Sequence, residues 1–273
     1  ANARLHGLRA ACMATADLAD RIPLLAGAAT PIAVACRDDG RIDPCGLAKR
    51  YLAASREGGV TIMMGARATG LRTRGETVTG VETSAGFLPA EWVVNAAGAW
   101  AGSVGSTLGE GLLDDLGLTT HRRHLFRSTR VTGLDPRWPF VWDLSHDVYF
   151  LTDASYLTLS ACDEEPHPAV EPAICARAGV ELDRKLSRAM PAVARIARAP
   201  LHACLRTFST DRRFVVGPDP RLSGFFWVAG LGGSGATAGA AAGDLAAGLL
   251  LGDRSVDETA RRAFDPARLV GRR

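Results

Sequence analysis

The sequence predicts a mixed α/β fold in two parts, an α/β part interrupted by an antiparallel-sheet part. Three observations predict it. Helix-period stretches alternate with short apolar strands over residues 1–100; residues 121–162 are rich in aromatic and β-branched segments; and an α/β pattern returns near residue 203, ending on a long small-residue helix. With 273 residues and 47% apolar content, the chain can bury a substantial core. Its net charge of +3 is scattered without a run of like sign, so charge selects neither nucleic acid nor an anionic membrane as partner.

The elements follow in order. Leu5, Leu8, Cys12, Thr15 and Ala19 recur at steps of three and four, which predicts an amphipathic helix over residues 3–20. In "PIAVACRDDGRIDP" a strand and a turn precede a helix start, because Asp43 can accept N–H bonds as N-cap and Pro44 suits the first helical position. That helix should reach Arg56 and stop at Gly58 and Gly59. Three β-rich segments come next, "VTIMMG", "ATGLRTRGETVTGVETSAG" and "EWVVNAAGAW", the middle one a meander turning at Arg74-Gly75-Glu76. "VVNAAG" is an apolar run ending in small residues, as where a buried strand stops beside something that approaches its backbone closely.

"HLFRSTRV", "FVWDL", "VYFLT" and "YLTLSA" predict the antiparallel sheet, and proline-rich "DEEPHPAVEP" leads into a helix near residues 173–189. "HACLRTFSTD", "RFVVG" and "GFFWVAG" bring back strands, and Ala236 to Leu251 forms the last helix. The six cysteines form no C-x-x-C and are expected to pack reduced in apolar surroundings, which fits a cytoplasmic location. Asp17 and Asp20 break the opening apolar run, against a signal peptide. The stretch from Phe225 to Leu251 carries Asp244 and many glycines, so no membrane span is expected.

Gly230, Gly232 and Gly235 spell G-x-G-x-x-G between a strand and a helix. A dinucleotide unit needs a second strand and an acidic residue about 20 positions on. Only a short charged tail follows Leu251, which ranks an NAD-dependent enzyme last. What survives is a set of backbone N–H groups at a helix N-terminus, able to stabilise negative charge. Neither lysine follows a glycine, and Ser234 fails the G-x-S-x-G pattern of a nucleophile elbow because position 236 is Ala. His121 and His124 lie three apart in a strand and face opposite sides, so no metal site is expected. Arg206 and Arg123 stand in apolar strands, where a guanidinium needs an anion: a carboxylate of the chain, or an acid on a ligand. Tyr149 taken alone is a core or rim aromatic.

Taken in order, "GRIDPCGLAKRYLAASREGGVTIMMGARATGL", "VVNAAGAWA" and "LRTFSTDRRFVVGPDPRLSGFFWVAGLGGSGATAGAAAGDLAAGLL" resemble the flavin-dependent oxidoreductases of the D-amino-acid oxidase superfamily. "HRRHLF" and "VYFLTDA" add a likeness to its D-arginine dehydrogenase and glycine oxidase-like branch. The resemblance implies an FAD/NAD(P)-binding-type domain over residues 42–117 and 203–273, and an antiparallel-sheet substrate domain over residues 1–41 and 118–202. It implies FAD as cofactor and a small amine or amino acid as substrate, oxidised by hydride transfer from Cα to flavin N5, with imine hydrolysis after.

By the same resemblance Gly230, Gly232, Gly233, Ser234, Gly235, Ala236 and Thr237 close on the flavin, Ala96, Ala97, Gly98 and Trp100 form a strand-end contact, and Ala68 approaches the adenine. Arg206 binds the substrate carboxylate, and Arg123 and Tyr149 add contacts on that side. Family members begin with a βαβ unit bearing its own G-x-G-x-x-G, and nothing in residues 1–40 resembles it. The chain is therefore expected to be an N-terminally truncated form, either a fragment or a natural short relative. A non-catalytic remnant or partner subunit that no longer binds FAD is the alternative.

Overall fold

The computed structural model describes residues 7–108, 113 and 116–271. Its elements run β1 (Ala10–Ala14), α1 (Thr15–Ala19), β2 (Ile32–Cys36), α2 (Pro44–Glu57), β3 (Ala68–Arg74), β4 (Thr77–Thr83), β5 (Gly86–Pro89), β6 (Val93–Asn95) and α3 (Ala101–Leu108). They continue as β7 (Thr119–Ser128), β8 (Val141–Asp143), β9 (Val148–Thr152), β10 (Leu157–Ser160), β11 (Glu165–Pro166), α4 (Ala176–Ala189) and α5 (Pro191–Ala194). The last are β12 (Arg198–Phe208), β13 (Val215–Pro218), β14 (Phe225–Ala229), α6 (Gly235–Leu251) and α7 (Glu258–Phe264). The chain divides into two compact units, Ala1–Arg41 with Arg122–Glu165 and Glu171–Cys204, and Ile42–His121 with Pro166–Val170 and Leu205–Arg273.

In the first unit β7, β10, β9 and β8 are neighbours in that order, each pair antiparallel. Strand alternation turns Val148, Phe150, Leu157, Leu159 and Phe126 to one face, where they pack with Leu182 and Leu186 of α4. Tyr149, Leu151, Trp142 and Thr158 fall on the other face, because Trp142 stands opposite Tyr149 and Thr158 opposite Leu151. Helix α4 is amphipathic, with Ala178, Leu182, Leu186 and Ala189 as its buried stripe.

In the second unit β6 and β14 run parallel and β13 joins β14 antiparallel, beside the meander β3-β4-β5. Trp227 fills the centre, fully buried, its indole N–H donating to Asp219 at 2.8 Å. Helix α6 lays Ala242 and Ala246 against Val216 and Phe226. Among the described residues no helix is long and apolar enough to cross a membrane.

Helix α2 matches its prediction: Asp43 accepts from the Cys45 N–H at 3.0 Å, Pro44 opens it and Gly58 caps it. Three expectations are corrected. Residues 10–14 do not continue a helix over 3–20; they pair with residues 32–36, Cys12 opposite Val34, and only Thr15–Ala19 is helical. The part of that expectation before residue 7 lies outside the described residues. A ladder with a strand distant in sequence outweighs a weak helical period in an alanine-rich stretch. "VTIMMG" forms no strand, since residues 60–65 find no ladder partner among the described residues, and Met64 is 85% exposed. Cys12 and Cys45 are exposed rather than packed in apolar surroundings.

Candidate functional site

The second unit brings two small-residue loops together because the strands that precede them are parallel. Phe225 stands opposite Val93 and Trp227 opposite Asn95, so β14 and β6 end side by side. Ligands of open α/β sheets bind outside such carboxyl ends. After β6, buried Asn95 pins the loop: its Oδ1 accepts from the Ala97 N–H at 3.3 Å and its Nδ2 donates to the Ala101 carbonyl at 2.9 Å. After β14, Gly230 and Gly232 take left-handed φ of +69° and +56°, which glycine adopts without strain. Strand β12 ties both loops: the Gly232 N–H donates to the Thr207 carbonyl at 2.9 Å, and the Thr207 hydroxyl to the Gly98 carbonyl at 3.2 Å.

The glycine loop lies across one face of β12. Arg206 and Phe208, two residues apart, share that face. A methyl group added at Gly232 would meet the Phe208 ring at 2.5 Å, and one at Gly233 would meet Arg206 Nη1 at 1.9 Å. Residues 232 and 233 must therefore lack a Cβ for these side chains to lie where they do. Arg206 is half-buried, yet its guanidinium has no hydrogen-bond or ion-pair partner among the described residues. At the start of α6 the Ser234 side chain makes no capping bond, and the N–H groups of Gly235 and Ala236 have no acceptor among the described residues. Gly233, Ser234, Gly235, Ala236 and Thr237 are all exposed.

The two arginines in apolar strands are treated differently. Arg123, in the first unit, donates from Nε to the Asp163 carbonyl at 2.6 Å and from Nη2 to Glu164 at 3.0 Å, so the chain supplies its anion. Its neighbour Arg122 pairs with Glu165, and that hydrogen bond raises the guanidinium further above its ordinary value. Tyr149 lies on the sheet face away from α4, its ring 5.0 Å from that of Phe140. Ala97 and Gly98 belong to the pinned loop with Ala96, and Trp100 projects into solvent from its end. Ala68 opens β3 opposite Thr83, exposed.

Sequence reasoning missed the surroundings of this loop. Phe208 carries the Arg212 guanidinium 4.4 Å from its ring centre and meets the His121 ring edge-on at 5.5 Å. His124 is fully buried, with Nδ1 2.7 Å from Asp163 and Nε2 accepting the Cys175 N–H at 3.0 Å, a structural role. A cavity of about 480 Å³ in the first unit, lined by Cys162, Asp163, Arg177 and Lys185 among others, includes none of the predicted site residues. Burial pushes the Cys162 thiol up to about 11, which leaves it a poor nucleophile.

Similarity to known proteins extends over most of the chain. The profile of the FAD dependent oxidoreductase family, DAO, matches residues 1–249. The uncharacterized oxidoreductase YurR of Bacillus subtilis (strain 168) is 28% identical over 233 residues, covering 83% of this chain and 59% of that protein. The mitochondrial pyruvate dehydrogenase phosphatase regulatory subunit of Mus musculus is 24% identical over 222 residues, 76% of this chain and 24% of that one. The chain thus spans less than two thirds of the length of these curated relatives. The crystal structure of L-proline dehydrogenase from P. horikoshii superposes with a TM-score of 0.78 at 17% identity, covering 96% of this chain and 69% of that chain. At that identity the likeness shows the fold.

Proposed function

The chain belongs to the DAO family of FAD-dependent oxidoreductases, and from that premise we propose that it oxidises an amino acid or related amine at the glycine-loop site of its second unit. The observation that carries this reading is the Arg206 guanidinium, without a hydrogen-bond or ion-pair partner among the described residues, lying against Gly233. FAD, when bound, supplies the two-electron acceptor for this chemistry.

The residues present fit the electron-rich end of a flavin. The backbone of Gly230, Gly232, Gly233, Ser234, Gly235, Ala236 and Thr237 is the proposed flavin contact, and the N–H groups of Gly235 and Ala236, without an acceptor among the described residues, are donors for a negatively charged edge. Ala96, Ala97, Gly98 and Trp100 provide the adjoining backbone contact, and Ala68 the contact proposed for the adenine. Arg206 offers a planar fork matched to a carboxylate; gripping it there restricts the substrate's rotation and presents its Cα–H bond in one orientation. Arg123 would have to release Glu164 to reach an acid, so the substrate carboxylate is assigned to Arg206 rather than to Arg123.

The test is spectroscopic. Purified protein should bind added FAD with a red shift and quenching of flavin fluorescence, and should bleach anaerobically when a D-amino acid or a secondary amine is added. Protein that leaves the spectrum of FAD unchanged would refute the reading. A second reading, a non-catalytic subunit, is favoured by the likeness to a regulatory subunit over 76% of the chain; it predicts no bleaching with any amine.

A further inference from the structure

Among the described residues three side-chain nitrogens are buried without a hydrogen-bond partner: Arg122 Nε, Arg198 Nε and His121 Nδ1. The two arginines are bonded through their other nitrogens, Arg122 to Glu165 and the Ala173 carbonyl, Arg198 to Asp183 and the Ile196 carbonyl. The His121 ring makes no hydrogen bond or ion pair at all among the described residues. By contrast His124, His146 and His167 each engage a carboxylate or carbonyl through Nδ1. A buried polar atom left unpaired is costly and uncommon, so the His121 ring stands where it does for a reason other than the chain's own bonding.

Its position supplies that reason. His121, Arg206 and Phe208 all belong to the second unit, on the paired strands β7 and β12. The His121 ring meets the Phe208 ring edge-on at 5.5 Å, and side chains in contact across paired strands share a sheet face. Arg206 lies on that face as well, two residues and about 7 Å along β12 from Phe208. Imidazole and guanidinium therefore stand on one face, under the loop whose Gly232 and Gly233 leave room for Phe208 and Arg206. An acid gripped by the Arg206 fork uses two of about four lone pairs and keeps the rest for a second donor. The enclosed Nδ1 decides which nitrogen gives it. With no acceptor beside Nδ1, the neutral ring keeps its hydrogen on Nε2.

We propose that His121 is a second binding group for the substrate carboxylate, donating from its Nε2–H to the acid that Arg206 holds. This rests on the functional reading above, and the test separates the two. In flavin-free protein carrying isotope-labelled histidine, the His121 resonances are those lost in His121→Gln. They should report the hydrogen on Nε2. Benzoate and D-alanine should shift Nε2 saturably, whereas benzamide and ethylamine, which lack the acid, should not. His121→Leu should weaken benzoate binding about tenfold, as for one hydrogen bond to a charged group, and His121→Gln, which keeps a donor, should recover most of it. In FAD-loaded protein His121→Leu should raise KM for an amino acid with a smaller change in kcat.

A hydrogen on Nδ1, or no saturable shift with benzoate and D-alanine, overturns the proposal. So does a wild-type KM in His121→Leu protein whose flavin bleaches, and that result leaves the oxidoreductase reading standing. A saturable Nε2 shift in a chain that ignores FAD supports the acid site and removes the functional reading instead.

Discussion

At the scale of single residues, the glycines separate into those that make room for a polar side chain at the surface and those that make room for the core. An added methyl at Gly233 would meet the far end of a flexible arginine, whereas one at Gly105 would lie 2.3 Å from the buried Trp227 ring. Gly105→Ala is therefore expected to destabilise the chain by about 1–3 kcal/mol through overpacking, seen as a lowered Tm. Gly233→Ala should leave Tm near the wild-type value and weaken binding of a carboxylate, because only Arg206 must move. Arg206→Lys keeps the charge but loses the planar fork, and should raise KM for an amino acid at least tenfold with a smaller change in kcat, measured by steady-state kinetics of the FAD-loaded protein. The need of an arginine in "CLRTF" for an anion was legible in the sequence; that Arg123 meets Glu164 while Arg206 meets no acid of the described chain was not. The difference lies in which strands become neighbours, and a residue's own sequence context does not carry it.

At the scale of elements, local signals were read well where they act within one segment. Asp43 and Pro44 started α2 and Gly58 ended it, since capping bonds close over two to four residues. Strands were legible only when their partner also existed. "VTIMMG" has strand composition, yet no described segment pairs with residues 60–65; "AACMA" reads as part of a helix, yet a strand eighteen or more residues away claims its backbone. The turn at Pro266–Arg268 shows another bond made at long range. Arg268 donates from Nε to Asp211 at 2.8 Å and from Nη2 at 3.0 Å, and also to the Phe214 carbonyl at 2.9 Å. The Arg268 guanidinium is the main reason that the Asp211 carboxyl lies well below its ordinary 3.8. Because the native value is depressed, this stabilisation is fully present above the ordinary carboxylate range and fades as pH falls through the native value. Asp211→Asn should thus cost about 1 kcal/mol at neutral pH in denaturant titrations, for a partly exposed pair, and the gap from wild type should close in strong acid.

At the scale of the whole molecule, composition and the order of patterns were enough to expect a mixed α/β chain with an inserted antiparallel sheet, and the resemblance of three long segments pointed to the family that the profile match shows. Those inferences succeed because burial periodicity and glycine placement are written along the chain itself. What the tertiary structure alone decided is which distant residues meet. It set the ends of β6 and β14 side by side, laid Gly232 and Gly233 over Phe208 and Arg206, and gathered the rings of Phe140, Trp142 and Tyr149 into one cluster. Such meetings depend on strand pairing and register between segments far apart in sequence, where a shift of one residue would turn every side chain to the opposite face.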